Sequence, residues 1–480
     1  MVAALVVAGG CGGGDDGGEQ AVTATTASGH EGRQIGCPSG SMVGVTCSLV
    51  PIDVAGIDEA AVFVAEVAAP SGADGAPIAF VGGDPGAGSV AALAEWKDVA
   101  RTLRRDVILI DRRGTGRSNP RLSCRDVDPA DYLARSVVDP QHRTYYRDAL
   151  AGCLRTVQEA GLDLRQFDLR AAARDVEAVR AALGVERWVL AGTGYGGLLA
   201  LAAGVEAPQA VEAVVLDGPV PPGWSVVANR SAAAEEAIAE FVARCRAATA
   251  CVEDDGALDP AMVLAQDSLG ASPVFVRVAS RDRAEAIGVR LTRRSVLPGV
   301  AGALLTEDGL LALPAALREG LPRQEWEILA RWRVDALPVR DWSAPAFLVA
   351  HCTEGALDLP ADWMAQVSRD GPWVETFFLS QDIEVCADWE LAPSPPLVLP
   401  DAVRSIPTLV MRSVFDPVIG RGSIEALQSH LDRTTVVEVP VAARELLRSD
   451  CGVSLMAGFL GGGDAGAEAT CTSAVGPWEA

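Results

Sequence analysis

The sequence predicts an α/β protein in which a mostly parallel sheet is covered by helices on both faces. Short apolar, β-branched runs alternate with helical stretches at 171–184 and 197–207, and an apolar fraction of 49% over 480 residues is enough for one large core. The expected core strands lie at 61–68, 78–81, 107–110, 188–191, 212–216, 407–411 and 435–439.

A second unit is expected inside the chain. After Asp217 no convincing core strand occurs before residue 407, and the segment between them consists of amphipathic helical pieces broken by proline. A stretch of roughly 180 residues is too long for a loop. The sequence therefore predicts an inserted, largely helical cap domain at 224–400, between core segments at 37–223 and 401–480.

The N-terminal residues predict a lipid anchor and a tether. An apolar run of about ten residues, half of what a transmembrane helix needs, ends in the small residues before Cys11. This pattern resembles the end of a bacterial lipoprotein signal, in which the cysteine is lipidated. Cys11 is then the anchor and 1–36 the signal and Gly-rich tether; an unmodified flexible tail is the alternative.

The other ten cysteines indicate an extracytoplasmic protein. Cysteines of a cytosolic chain would stay reduced or bind metal, but no C-x-x-C pair or Cys/His cluster with zinc spacing occurs, so no metal site is expected. Connectivity does not follow from sequence, and sequential pairing is the simplest of many arrangements. It would join Cys37 to Cys47, Cys124 to Cys153, Cys245 to Cys251, Cys352 to Cys386 and Cys451 to Cys471.

The charge balance limits the partners. The net charge is −24, from 64 acidic and 40 basic residues, which argues against nucleic acid and against an anionic lipid surface. We expect a monomer at the cell surface or secreted, with membrane contact only through the N-terminal lipid, and no cofactor.

Residues 186–218 contain two overlapping patterns. Gly192, Gly194 and Gly197 satisfy G-x-G-x-x-G, with Asp217 about twenty residues further on, as in a dinucleotide-binding unit. The segment Gly192-Thr193-Gly194-Tyr195-Gly196 also matches the G-x-S-x-G turn between a strand and a helix, with Gly194 in the place of serine. The neighbouring segments decide between them.

Four further segments carry a resemblance to a known family. They are FVGGDPGAGS at 80–89, DVILIDRRGTGRSNP at 106–120, LDGPVPP at 216–222 and IPTLVMRSVFDPV at 406–418. Together with the turn at 192–196, hereafter the elbow, they resemble α/β-hydrolases of the prolyl-aminopeptidase and secreted tripeptidyl-aminopeptidase family, peptidase family S33. The resemblance covers most of 37–480 and implies an α/β-hydrolase fold, a cap, and a C-terminal region like that of the tripeptidyl aminopeptidases.

The resemblance also assigns positions to a catalytic triad, which here is degenerate. It places the nucleophile at Gly194, the acid at Asp416 and the histidine at Arg444. Glycine carries no hydroxyl, and arginine has no acceptor lone pair with which to act as a general base. A cation beside a carboxylate that would otherwise be buried alone predicts Arg444 within about 6 Å of Asp416.

The oxyanion hole implied by the resemblance consists of Gly83, Asp84 and the N–H of Tyr195. Asp84 stands where the family has a glycine, and a carboxylate there would oppose a developing oxyanion. Alternatively, the Asp84 side chain points to solvent.

No other residue offers an evident replacement for the triad. None of His30, His142, His351 and His430 follows the last strand; His351 is the one that could approach the cleft, and a structural role is the expectation. The Thr193 hydroxyl leaves the turn in another direction and has no base.

Three functions remain in the order of their support. The first is a pseudoenzyme that binds a peptide or small molecule in a capped pocket. The second is an active serine-type aminopeptidase, as the family resemblance alone implies. The third is an NAD-dependent dehydrogenase, which the segments flanking the elbow disfavour.

Overall fold

The computed structural model describes most of the chain as a large sheet with helices on both faces. The described residues are 32–38, 42–70, 72–124, 127–135, 140–248, 258–280, 283–338, 342–355, 382–440 and 442–462. The predicted anchor Cys11 and most of the tether lie outside them, as do Cys251, Cys471 and His30.

Nine strands form the main sheet, in the order β1-β2-β3-β5-β4-β6-β7-β10-β11. Strands β1, β2, β3 and β5 pair antiparallel, and β5, β4, β6, β7, β10 and β11 pair parallel. The strands are β1 (Arg33–Ile35), β2 (Val45–Pro51), β3 (Ala61–Val67), β4 (Ile78–Phe80), β5 (Val107–Ile110), β6 (Trp188–Thr193), β7 (Val211–Asp217), β10 (Thr408–Ser413) and β11 (Thr434–Val439).

Helices cover both faces of this sheet, as predicted. One face packs on helices α4, α5, α13 and α14, and the other on α1 and α15. The helices of the core are α1 (Leu93–Leu103), α2 (Pro129–Leu133), α3 (Pro140–Glu159), α4 (Leu169–Ala182), α5 (Tyr195–Glu206), α13 (Asp401–Arg404), α14 (Arg421–Gln428) and α15 (Asp450–Leu460).

The region between β7 and β10 is mainly helical but also contains a hairpin that the sequence did not predict. Strands β8 (Val274–Val278) and β9 (Ile287–Leu291) pair antiparallel, and alternation along β8 leaves Phe275 exposed. The helices here are α6 (Val226–Ala247), α7 (Leu258–Ala271), α8 (Val296–Ala303), α9 (Glu307–Ala315), α10 (Trp326–Asp335), α11 (Ala344–Ala350) and α12 (Asp382–Asp388). None of the described helices is long and apolar enough to cross a membrane.

These helices divide between two apolar clusters. Helices α6 to α10 and the hairpin share one cluster, which also takes in Phe415 and Ala443 from the loops after β10 and β11. Helices α11 and α12 instead pack on the segment 122–167. The first cluster therefore rests directly beside the loops that carry Asp416 and Arg444.

Three of the predicted disulfide bonds are present. They join Cys37 to Cys47, Cys124 to Cys153 and Cys352 to Cys386. The last two lie in the apolar cluster that contains α11 and α12. Cys245 and Cys451 are also disulfide-bonded, and the residues predicted as their partners lie outside the described part of the chain.

A buried ion pair fixes the loop after β5 to α4. Arg113 donates from Nε and Nη2 to the carboxylate of Asp175, and both side chains are nearly inaccessible, at 5% and 6% exposure. Nη1 of Arg113 also donates to the Gln166 carbonyl oxygen. Arg113, in the segment Asp111-Arg112-Arg113-Gly114, is thus a structural residue rather than one that faces a ligand.

We expect the Asp175→Ala substitution to lower the free energy of unfolding by about 3–5 kcal/mol, because it leaves the Arg113 guanidinium buried without its partner. Urea denaturation measures the change. The matched control is Asp74→Ala in the Arg104–Asp74 pair, whose side chains are 54% and 60% exposed, with an expected loss below about 1 kcal/mol. Similar losses in both variants would contradict this role.

Candidate functional site

The site lies at the carboxyl ends of the parallel strands. The Gly82–Gly86 loop follows β4, Gly194 follows β6, Asp217 ends β7, Asp416 follows β10 and Arg444 follows β11. Crevices outside the carboxyl ends of such strands are the usual binding positions of open α/β sheets. The predicted triad positions therefore meet at one edge, although Arg444 comes from a strand separated from β6 by two others.

Gly194 forms a sharp turn between β6 and α5. Its dihedral angles, φ 55° and ψ −120°, lie in a region that L-residues rarely adopt. The turn is held by its N–H, which donates to the Asp217 carbonyl oxygen at 3.0 Å, and by its carbonyl, which accepts from Gly197 and Val220. This is the geometry of a nucleophile elbow with glycine at its centre.

The glycine spacing that imitates a dinucleotide fingerprint is explained by this turn. A Cβ on Gly192 would collide with the Gly196 carbonyl, and a Cβ on Gly196 would collide with that of Gly82. Asp217, which would hold a ribose in a dinucleotide fold, is 1% exposed and accepts from the Thr193 hydroxyl at 3.3 Å. Neither feature leaves a surface for a nicotinamide cofactor.

Arg444 fills the space beside the elbow. Its Nη2 lies 2.8 Å from the position of a Cβ on Gly194, so a side chain at residue 194 would displace the guanidinium. Its Nε lies 3.5 Å from Oδ2 of Asp416, which confirms the predicted proximity, without the geometry of a hydrogen bond. The Arg444 side chain is 25% exposed and that of Asp416 is 2% exposed.

Two buried carboxylates surround this cation. Oδ1 of Asp416 accepts from the N–H groups of Val418 and Ile419 at 2.8 and 3.1 Å. Burial and, next, the charge of Asp416 raise the pKa of Asp217 to a net value of about 7, although the charge of Arg444 lowers it. Burial lowers the pKa of Arg444, but the charges of Asp416, Asp217, Glu445 and Asp84 outweigh it, so the net direction is upward.

The loop predicted to supply oxyanion donors presents acceptors instead. The carbonyl oxygens of Gly82 and Gly83 accept from the N–H groups of Thr193 and Gly196 at 3.1 and 3.2 Å. In a planar trans peptide the following N–H points the opposite way, so those of Gly83 and Asp84 face away from the elbow. The N–H of Tyr195 lies in the first turn of α5 and has no intrahelical acceptor; its role as a donor stays a prediction.

Asp84 is exposed to solvent, and its side chain is at the same time hydrogen-bonded. Its Oδ1 accepts from the Gly86 N–H at 2.7 Å and from Nε1 of Trp342 at 2.8 Å. Ser343 N donates to the Gly86 carbonyl at 2.8 Å, and a Cβ on Gly86 would collide with the Trp342 indole. The start of α11 is therefore seated on the Gly82–Gly86 loop through Asp84.

Arg112 strengthens the same contact from the core side. Its Nη2 donates to the Pro85 carbonyl and, at 3.4 Å, to that of Ala346 in α11. Its guanidinium lies 5.3 Å from the centre of the Tyr195 ring. The loop is thus held between α11, the segment after β5 and the residue that follows Gly194.

The sequence pattern did not reveal Arg112 or Trp342 as residues of this site, because their roles depend on contacts between distant segments.

The remaining candidates do not join the site. His351 is 8% exposed and stacks on Phe347 with ring centres 5.5 Å apart, and burial lowers its pKa to about 4. None of the described contacts links it to Gly194 or Asp416. His430 follows α14, and the side chain of His142 is outside the described part. The described residues hold no cluster of ligating side chains suited to a metal ion.

Two cavities of the described structure lie away from the elbow. One lies behind α5, where Leu198 and Glu354 face the Pro-rich segment 394–397. Burial raises the pKa of Glu354 to a net value of about 7, although a hydrogen bond from Thr353 and the charge of Arg112 lower it. The other is a shallow groove along α6 near Leu297.

Comparison with known proteins agrees with this architecture. The sequence profile described as alpha/beta hydrolase fold matches residues 77–243, which contain β4 to β7 and the elbow. Together with the strand order and the turn at Gly194, this defines the chain as a protein of the α/β-hydrolase fold.

Among characterised proteins the similarity is partial. The serine protease Hip1 of Mycobacterium tuberculosis is 29% identical over 201 residues, which are 39% of this chain and 38% of that protein. The tripeptidyl aminopeptidase of Streptomyces lividans is 30% identical over 138 residues, 27% of this chain and 24% of that protein. The matched part is thus well under half the length of either relative. The proline iminopeptidase structure from Mycobacterium smegmatis aligns at a TM-score of 0.38 with 14% identity, covering 87% of this chain and 98% of that one.

We expect the Asp217→Asn substitution to change how stability depends on pH. An acid whose folded pKa is raised from 3.8 to about 7 loses folded-state stability as pH rises through that interval, because the unfolded chain releases its proton first. The asparagine variant lacks this decline and keeps an acceptor for Thr193. Urea denaturation between pH 4 and 8, with exposed Asp74→Asn as control, measures it; parallel curves for the unmodified protein and the Asp217→Asn variant would contradict the prediction.

The contact between Asp84 and Trp342 gives another prediction. In the Trp342→Leu variant, amide hydrogen exchange of segments 82–90 and 343–350 should accelerate together, because both ends of the contact lose the same hydrogen bond. The Asp84→Asn variant retains a carbonyl acceptor and should exchange more slowly than Asp84→Ala. Acceleration in only one of the two segments would show that they are not coupled.

Proposed function

We propose that this chain is an exported pseudoenzyme related to the tripeptidyl- and prolyl-aminopeptidase-like α/β-hydrolases of peptidase family S33. The observation that carries the proposal is the position of Arg444, with Nη2 only 2.8 Å from the place of a Cβ on Gly194. A serine side chain here would have to displace the guanidinium, and the guanidinium cannot accept the serine proton. The similarity to named peptidases supports a peptide as the ligand class.

Two further features support the loss of acyl-transfer chemistry. The carbonyl of Gly83, 3.9 Å from the same Cβ position, faces the elbow where a hydrogen-bond donor would be needed. The hydroxyl of Thr193 is directed to Asp217 and is 7% exposed, so it is not presented to a ligand. Nucleophile, base and oxyanion donors are then altered in the same site.

Export is proposed on chemical grounds. Three disulfide bonds among the described residues are compatible with an oxidising compartment. Lipidation of Cys11, a surface or secreted location and a monomeric state belong to the same proposal. Mass spectrometry of the mature N-terminus from a membrane fraction tests the anchor.

The test of the pseudoenzyme uses a fluorophosphonate probe and tripeptidyl anilides. We expect no labelling of the unmodified protein, and none of Gly194→Ser alone, because Arg444 has no lone pair with which to take the proton of the new hydroxyl. The double variant Gly194→Ser, Arg444→His should regain labelling by roughly 10²-fold or more over background, since it restores nucleophile and base together. Arg444→His alone is the matched control and stays unlabelled.

Stoichiometric labelling of the unmodified protein would support the active aminopeptidase instead. The variant Thr193→Val then identifies the nucleophile, because loss of labelling would assign it to Thr193. Titration with NAD, for which no binding is expected, addresses the dehydrogenase.

A further inference from the structure

The guanidinium of Arg444 has unused hydrogen-bonding capacity at the centre of the site. Arginine carries five N–H donors in one plane. Its ion pair with Asp416 lacks hydrogen-bond geometry at Nε, and within the described residues no acceptor meets any of the five donors. Three quarters of the side chain is buried, so water reaches only part of it. Such a group favours a ligand that brings an acceptor oxygen.

The position of these donors defines which ligand atom they would meet. Nη2 lies beside the elbow, where the reacting carbonyl of a hydrolase substrate would lie, and the N–H of Tyr195 is available at the same turn. The peptides of Gly82 and Gly83 direct oxygens to this place and offer no donor. Arg444 is therefore the principal donor for an oxygen placed over Gly194.

The surrounding charges select between acceptors. Asp416 and Asp217 flank the guanidinium from β10 and β7, Glu445 follows it in the chain, and Asp84 lies on the facing loop. Arg448 pairs with Glu445 and is the neighbouring cation. Above the pKa of Asp217, which is about 7, the Arg444 guanidinium faces more than one carboxylate charge, so a further negative charge is repelled while a neutral oxygen is not.

We propose that Arg444 is a carbonyl-binding residue, which holds the neutral carbonyl oxygen of an uncleaved amide or ester at the elbow and discriminates against the corresponding free carboxylate. The inference rests on the proposed function, because an active enzyme would consume such a ligand. A site with this preference binds a ligand whose amide or ester bond is intact and releases the acid that cleavage of that bond would produce.

Isothermal titration of the full-length protein with trialanine amide, trialanine p-nitroanilide and trialanine free acid tests the proposal. We expect the amide and the anilide to bind at least tenfold more tightly than the acid at pH 8. The Arg444→Met variant should lose this binding by about tenfold, in line with one lost hydrogen bond from a charged donor. The matched control is Arg101→Met, an arginine on α1 whose side chain is 65% exposed, and this variant should bind as the unmodified protein does.

Two variants that keep a positive charge at the site distinguish loss of ligand binding from loss of folding. Arg444→Lys preserves a positive charge beside Asp416 and Asp217 but not the planar fork, and Gly194→Ala displaces Nη2 without changing any charge. Both should weaken amide binding several-fold while the thermal melting curve stays cooperative.

Equal or tighter binding of the free acid would overturn the proposal. So would unchanged amide binding in folded Arg444→Lys and Gly194→Ala proteins, or no measurable amide binding by the unmodified protein. Turnover of the anilide, by contrast, would overturn the proposed function itself, and fluorophosphonate labelling distinguishes that case.

Discussion

Two carboxylates buried at neighbouring strand ends, Asp217 and Asp416, are the constraint around which this site is organised. Buried charges need a partner, and removal of one member of such a group costs several kcal/mol. The loop after β11 supplies the cation, Arg444, in the position that the family resemblance assigns to histidine. The same residue thereby faces both carboxylates and lies beside Gly194.

The contacts with α11 have a comparable double effect. Asp84 accepts from Trp342, and Arg112 donates to the carbonyls of Pro85 and Ala346, so the loop after β4 is held in one conformation. In that conformation its carbonyls, and not its amides, face the elbow. Asp84, whose charge was expected to oppose an oxyanion, thus attaches the start of α11 to the loop after β4. In the attached conformation this loop presents carbonyl oxygens to the elbow.

Much of the fold could be predicted because it depends on local patterns. The apolar runs of β4 to β7 and the helix after the elbow are continuous in sequence, and parallel strands bring their ends to one edge. The proximity of Arg444 to Asp416 followed from electrostatics. By contrast, β2 is interrupted by Thr46 and Ser48, and the hairpin β8–β9 lies in a segment dominated by helices, so neither pattern stood out. The direction of the Gly83 carbonyl and the partner of Asp84 depend on contacts between distant segments.

The close approach of Nη2 to Gly194 makes the two positions interdependent. In the rotamer seen here, the Arg444 guanidinium and a side chain at residue 194 would compete for the same space. The guanidinium is the end of a flexible side chain and relieves this contact by changing rotamer, whereas the positive φ of residue 194 strains any L-residue placed there. The effects of substitutions at residues 194 and 444 on stability are therefore expected to be non-additive.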